Sequence, residues 1–322
     1  MLRIGIIGGS PGNGHPYSYS SIINGFNSVA LERECPYGLI KDYLPKDSLV
    51  YGRLEGIQVT SIYCPDHKLA ASIARVANIP LVCKSLDELI NGVDAVILAR
   101  DDPETRPEFI PKIIKSKKPV FIDKLISKNF SDLRWIQENI PKHYPLMCGS
   151  AVRYSSSNIL PTAFVENLDQ FEISGSGVCR STWELYGHHL IEMITPHFGF
   201  DFETVQCLSC SKNIDIFIIK MRNGIYFTLH FGIDFKLPIK LEYYSSSGAR
   251  CEIRFENYYE CFLNMLTNFR DLVNGKIQTP VSRDEIITTA ALIHAGTQSK
   301  LEGGKLLYVR ELFLRSGLSE VV

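Results

Sequence analysis

The sequence predicts an α/β protein in two parts: a doubly wound, parallel-sheet domain, then an α+β domain with a large, mainly antiparallel open sheet. Three observations predict it. Short apolar runs alternate with amphipathic segments through roughly the first 150 residues, the pattern of a parallel sheet covered by helices on both faces. The first apolar run opens into a loop crowded with glycine, "IGIIGGSPGNGHPYS". Beyond about residue 150, strand patterns follow one another with short turns, as in an antiparallel sheet with one covered face.

The elements follow in order. "RIGIIG" is a continuous apolar run ended by glycine, as expected of a strand buried on both faces. "SYSSIINGFNSV" is expected to be helical with a serine N-cap. "IQVTSIYC" is a second strand and "HKLAASIARVAN" a helix with apolar residues three and four apart. "VDAVILA", "KPVFIDK" and "PLMCGSAV" are strands separated by the helices "PEFIPKIIKSK" and "FSDLRWIQENI". In the second part "IDIFIIKM", "IYFTLHFGIDF", "IKLEYYS" and "RCEIRFE" are strands, and "CFLNMLTNFRDLVNG" and "SRDEIITTAALIHAGTQSKLEG" are helices. This places a dinucleotide-binding domain at residues 1–124, completed by the helix and strand of 130–150, and a substrate and oligomerisation domain at 151–322.

Composition narrows the function. The 322 residues carry a net charge of -1, which gives neither nucleic acid nor an anionic membrane surface an electrostatic hold. No apolar run approaches a membrane span, and the chain enters a strand at once, so a cytoplasmic protein is expected. Nine cysteines, an odd number, read as reduced thiols. Cys207 and Cys210 form a lone C-x-x-C without the four ligands of a structural zinc site, and no metal is expected.

Two segments carry candidate chemistry. A glycine loop between a buried strand and a helix lets a diphosphate approach the backbone at a helix N-terminus. Gly8, Gly9, Gly12 and Gly14 supply the glycines, with Ser10, Asn13 and His15 between and after them, but the spacing misses G-x-G-x-x-G. An ordinary glycine turn would look the same. The second strand ends at Cys64, where an acidic residue would hold the adenosine ribose; Asp66 comes two residues late, leaving NAD and NADP both open. In "STWELYGHHLIEMITPHFG" the spacing puts Glu184 and His188 four apart on one helix face, opposite Tyr186, Leu190, Met193 and Ile194. A carboxylate beside an imidazole suits acid–base chemistry; a solvated helix face has the same spacing.

Taken in order, these segments resemble the Gfo/Idh/MocA family of NAD(P)-dependent oxidoreductases, which begin with a Rossmann domain. "VDAVILARDDPETRPEFIPKIIKSKKPVFIDKLIS" resembles the family stretch ending in Glu-Lys-Pro, written here Asp123-Lys124-Leu125. "ELYGHH" resembles its Asp-x-x-x-His segment, and "GSAVRYSSS" its arginine-aromatic segment. The resemblance spans nearly the whole chain. It implies hydride transfer between NAD or NADP and a hydroxyl or carbonyl of a sugar, cyclitol or nucleotide-linked sugar. Lys124 and His188 would be the catalytic pair, with Glu184 beside His188. Ala99, Arg100, Asp101, Asp123 and Lys124 would join the loop residues at the cofactor, and Arg153, Tyr154 and Trp183 would join Lys124 and His188 at the substrate. A homodimer or homotetramer is expected. The departures are the rewritten loop, Arg100 and Asp101 in place of a Thr-Pro pair, and a long insertion at 31–57. Two other readings of the same fold are a nucleotide-sensing regulator without catalysis and an NAD-assisted glycosidase.

Overall fold

The computed structural model describes residues 1–45, 54–160 and 172–319. They form two compact units: Met1–Ile126 with Ile140–Ala151 and Asn257–Arg283, and Ser127–Asn139 with Val152–Glu256 and Asp284–Val322.

The first unit is built on β1 (Leu2–Ile7), β2 (Ile57–Tyr63), β3 (Leu81–Val82), β4 (Ala95–Leu98), β5 (Val120–Asp123) and β6 (Leu146–Gly149). They form one parallel sheet in the order β3-β2-β1-β4-β5-β6. Ile4, Ile6 and Ile7 in the centre are fully buried, as are Ala95 to Leu98, which is why these strands read as unbroken apolar runs. Between the strands lie α1 (His15–Asn24), α2 (Ser28–Glu34), α3 (Gly38–Tyr43), α4 (His67–Val76), α5 (Leu86–Gly92) and α6 (Arg106–Lys115). The expected helix over 18–29 is two helices. Gly25 ends α1 with φ 74, and Asn27 starts α2 by accepting from the Ala30 amide at 3.0 Å; local stop and start signals override a continuous helical pattern. The expected crossover helix α7 (Phe130–Asn139) groups with the second unit, where Phe130 meets His294 edge-on at 4.4 Å.

The second unit holds β7 (Ile173–Arg180), α8 (Trp183–Phe198), β8 (Phe202–Cys210), β9 (Ile214–Met221), β10 (Tyr226–Gly232), β11 (Lys240–Ser245) and β12 (Arg250–Arg254). After them come α9 (Tyr258–Val273), α10 (Arg283–Leu301), β13 (Leu307–Tyr308) and α11 (Val309–Arg315). The sheet runs β12-β11-β7-β10-β9-β8-β13 and is antiparallel except for β7 against β10. The alternation that marks a strand is weak in β7 and β8, where serine, glycine and cysteine dilute it, and β13 is only two residues long. Although it lies beyond residue 150, α9 belongs to the first unit. Its apolar face explains this: Phe262 packs at 5.5 Å on Tyr19, and Phe269 at 5.9 Å on Phe121.

Trp183 anchors the second unit's core. It stacks on Phe217 at 4.3 Å, meets Phe231 edge-on, and its indole N–H donates to the Ile293 carbonyl at 2.7 Å. Gly296 on α10 leaves room for the indole. No helix among the described residues is long and apolar enough to cross a membrane.

A methyl group at Gly296 would overlap the Trp183 ring. Gly296→Ala is therefore expected to cost about 1–3 kcal/mol by overpacking, read as a lower thermal midpoint; an unchanged midpoint contradicts this packing.

Candidate functional site

The strand order of the first sheet reverses beside β1, the place where open α/β sheets leave a crevice at the carboxyl ends of their strands. The glycine loop leaves β1 there. Its Gly8 amide donates to the Tyr63 carbonyl at 3.0 Å, and its Gly8 carbonyl accepts from Arg100 Nη1 at 3.0 Å. The Ser10 hydroxyl donates to Asp101 at 2.9 Å, and the Asp101 amide donates back at 3.2 Å. Asn13 Nδ2 donates to the Ala99 carbonyl at 3.3 Å, while Asn13 Oδ1 accepts the His15 amide at 2.7 Å. The loop after β1 is thus stitched to the loop after β4, and an asparagine side chain satisfies one orphan donor of α1.

The glycines divide by role. At Gly14 a Cβ would strike Ile40 and Tyr37, which come from the 31–57 insertion, so glycine admits this packing. Gly12 has φ +78 and nothing within 4 Å of its missing Cβ. Among the described residues the amides of Gly9, Gly12 and Gly14 donate to no backbone carbonyl. An open, left-handed glycine, unengaged amides and a helix N-terminus suit a diphosphate. The residues present therefore fit the phosphate part of a dinucleotide. Residues 46–53 of the insertion lie outside the described residues.

The ribose end differs from expectation. Cys64 is fully buried against Gly8, and burial pushes its thiol up to about 12. Asp66 is the N-cap of α4, with one carboxylate oxygen accepting the Lys68 and Leu69 amides at 2.8 and 3.2 Å. The geometry makes Cys64 a packing residue and Asp66 the cap of α4. Arg100 is also largely buried. Its guanidinium pairs with Asp102, reaches Thr105 at 3.3 Å and lies 5.2 Å over the Phe109 ring.

Asp123, at the end of β5, is the centre of the unit's polar network. It is 1% exposed. Its Oδ2 meets His15 Nδ1 in a short contact and accepts Asn13 Nδ2 at 3.5 Å. Its Oδ1 accepts the Lys124 amide at 2.9 Å and the Tyr19 hydroxyl at 3.4 Å. Burial alone would push the Asp123 carboxyl up. His15, by charge and hydrogen bond, then Lys124 and Arg106, outweigh it and hold the carboxyl below its ordinary value. The Lys124–Leu125 peptide, where the resembled motif has its proline, is cis. Arg106 donates to the Arg100 and Lys124 carbonyls at 2.9 and 3.3 Å from a buried position, so it braces the ends of β4 and β5 together. The sequence reading passed over Tyr19 and Arg106. Tyr19 lies one turn beyond His15 and was findable by that spacing; nothing in the sequence signals Arg106.

In the second unit, α8 carries His188, buried, with its ring 4.0 Å from that of His189. Glu184 is ion-paired with Lys300 at 3.7 Å, and Lys300 holds buried Asp215 at 2.6 Å. The carboxylate expected beside His188 is thus ion-paired to Lys300. Trp183, expected at the substrate, is the core residue described above. Arg153 is largely buried, pairs with Glu192 and donates to the Thr195 hydroxyl. Burial pushes Glu192 up against the pull of Arg153, and burial with the Arg153 charge pushes His197 down to about 4. Tyr154 is half-buried on the turn Ala151–Tyr154.

No protein-family model matches the chain, and no curated protein matches it by sequence. Solved structures do. A probable dehydrogenase from Thermotoga maritima superposes with a TM-score of 0.71 at 15% identity, covering 97% of this chain and 100% of that one. A myo-inositol dehydrogenase from Lactobacillus casei, crystallised with NAD(H) and myo-inositol, gives 0.71 at 14% identity, covering 96% of each chain. A scyllo-inositol dehydrogenase from the same organism, with NAD(H) and scyllo-inositol bound, gives 0.72 at 12% identity over 96% of this chain and 99% of that one. At these identities the likeness is one of fold.

The depressed Asp123 carboxyl carries a pH signature. A carboxyl lowered in the folded state stabilises above its unfolded value, near 3.9, and loses that contribution as pH falls through the folded value. The stability advantage of the parent over Asp123→Asn, read from urea midpoints, is expected to shrink below about pH 4. An advantage that grows there contradicts the network.

Proposed function

We propose that this chain, built on the fold of the Gfo/Idh/MocA oxidoreductases, transfers hydride between NAD or NADP and a hydroxyl or carbonyl carbon of a sugar, cyclitol or nucleotide-linked sugar. The observation that carries the reading is the open Gly12 turn over α1, with unengaged amides at the switch point of the parallel sheet. The NAD(H)-bound inositol dehydrogenases of the same fold support the choice of dinucleotide and of a polyol substrate.

The loop from Gly8 to His15 would hold the diphosphate, with Ser10 and Asn13 fixing its shape from below. When bound, the nicotinamide supplies the hydride acceptor or donor. The chain's own residues manage the substrate oxygen, on which charge develops during the transfer. Lys124, braced at the end of β5, is the proposed cation for that oxygen, and His188 is the proposed proton-exchanging partner. Arg153 and Tyr154 are proposed to act at the substrate, Arg153 through the buried Glu192 pair that orients it.

A homodimer or homotetramer is proposed through the second sheet. Tyr226, Ser174 and Tyr244 form one cross-strand row, and the two tyrosines are 47% and 40% exposed. The buried free thiols suit a reducing compartment, and we assign the chain to the cytoplasm.

Two measurements test the reading. NADH or NADPH at about a hundred times its dissociation constant is expected to stabilise the chain by roughly 2.7 kcal/mol, seen as a higher thermal midpoint. Lys124→Ala, still folded, is expected to lose on the order of a hundredfold in turnover of a polyol at 340 nm. No response to either nucleotide contradicts the reading, and nucleotide binding without turnover of any polyol points to the sensor instead.

A further inference from the structure

We infer that His15, held by Asp123, exchanges the substrate proton of the proposed reaction through its Nε2 atom, with His188 the alternative for that one proton. The inference rests on the oxidoreductase reading and adds to it a group that no motif announces.

An ionised carboxyl at 1% exposure must have its lone pairs occupied. Asp123 receives the Lys124 amide and Tyr19 hydroxyl on one oxygen, and His15 Nδ1 and Asn13 Nδ2 on the other. A carboxylate on Nδ1 makes that nitrogen the donor. In the neutral ring the lone pair is then on Nε2, on the side away from Asp123. The ring is also held in place by contacts: Tyr19 stacks on it at 4.9 Å with the planes 18° apart, and Phe262 meets it edge-on at 5.6 Å. The side chain remains 23% exposed. His15 is therefore an oriented, partly exposed imidazole with Nδ1 engaged by Asp123, directly after the glycine loop.

This is the arrangement of a base aligned by a third group. The sequence suggests the same arrangement on α8 for Glu184 and His188, where Glu184 is also ion-paired with Lys300. The carboxylate that orients His15 also fixes the backbone of Lys124, the proposed cation for the substrate oxygen. Protonation of Nε2 would place the new positive charge next to an existing anion, so the buried charge stays balanced. In the oxidising direction the substrate hydroxyl gives its proton to Nε2. The C–H bond on the same carbon would break with its electron pair passing as hydride to the oxidised nicotinamide, and the C–O bond would become a carbonyl. In the reducing direction the imidazolium returns the proton to the oxygen.

The alternative is a purely structural ion pair, and the test separates the two. The parent, His15→Gln and His15→Ala are assayed with NAD+ or NADP+ and whichever of myo-inositol, scyllo-inositol and D-glucose the parent oxidises. NADH dissociation constants are measured in parallel by fluorescence. The expected result is a kcat lower by on the order of a hundredfold in both variants, NADH affinity within about threefold of the parent, and partial recovery of His15→Ala by added imidazole. Glutamine keeps a hydrogen bond to Asp123 but exchanges no proton, so a His15→Gln variant with parental kcat overturns the inference. So does a loss of NADH affinity that matches the loss of rate. A readout independent of turnover is ring 15N NMR: the parent is expected to show the Nδ1-protonated tautomer and Asp123→Asn a mixture, whereas an Nε2-protonated parent overturns the inference. If the parent binds neither nucleotide or oxidises none of the three polyols, the oxidoreductase reading fails and this inference with it. If the parent turns over and His15→Gln matches it, the inference alone falls.

Discussion

The first unit depends on one buried charge. The Asp123 carboxylate closes the end of β5 and gathers groups from the glycine loop, from α1 and from its own next residue. A buried carboxylate without partners would be costly or protonated, so the loop conformation, the pose of the His15 ring and the backbone of Lys124 are tied to a single requirement. Arg106 reinforces it by joining the Arg100 and Lys124 carbonyls, and Arg100 in turn reaches the Gly8 carbonyl. Three loops at the carboxyl end of the sheet are therefore joined in one hydrogen-bonded frame. The amides of Gly9 and Gly12 are left out of it, and this is where an anion is needed if the loop binds a diphosphate.

The second unit uses a different principle. Its sheet is sealed by aromatic packing around Trp183, and several of its charged groups pair inside the unit: Arg153 with Glu192, and Lys300 with Asp215 and Glu184. Breaking such a pair leaves a charge stranded, so these residues constrain the fold as much as any chemistry. The low proton affinity of His197 follows from the same crowding, as burial and Arg153 both oppose a second positive charge.

Much of this was legible in the sequence, for definite reasons. Parallel strands buried on both faces have to read as apolar runs, so the Ile4–Ile7 and Ala95–Leu98 strands stood out. The loop was found from its glycines, although only coordinates separate Gly12, which is open, from Gly14, which accommodates Ile40 and Tyr37. The placement of α9 and α7 was not legible, because strand and helix periodicity reports which face is apolar and not what covers it. The resemblance implies a substrate role for Trp183, and its packing on Phe217 and Phe231 could not be read from spacing. The contact between His15 and Asp123 joins residues more than a hundred positions apart, a distance over which spacing carries no information. Cys64 and Asp66 have structural duties that sequence position does not report, one buried against Gly8 and the other capping α4.

The central claim is that this frame at the end of the first sheet is built to hold a dinucleotide by its phosphates. A crystal structure of the chain grown with NADH or NADPH tests it most directly. The account predicts diphosphate density on the amides between Gly8 and Gly14, with Asp123 still paired to His15. A dinucleotide bound elsewhere on the chain, or a loop that must unpick the Asp123 network to receive it, would contradict the account.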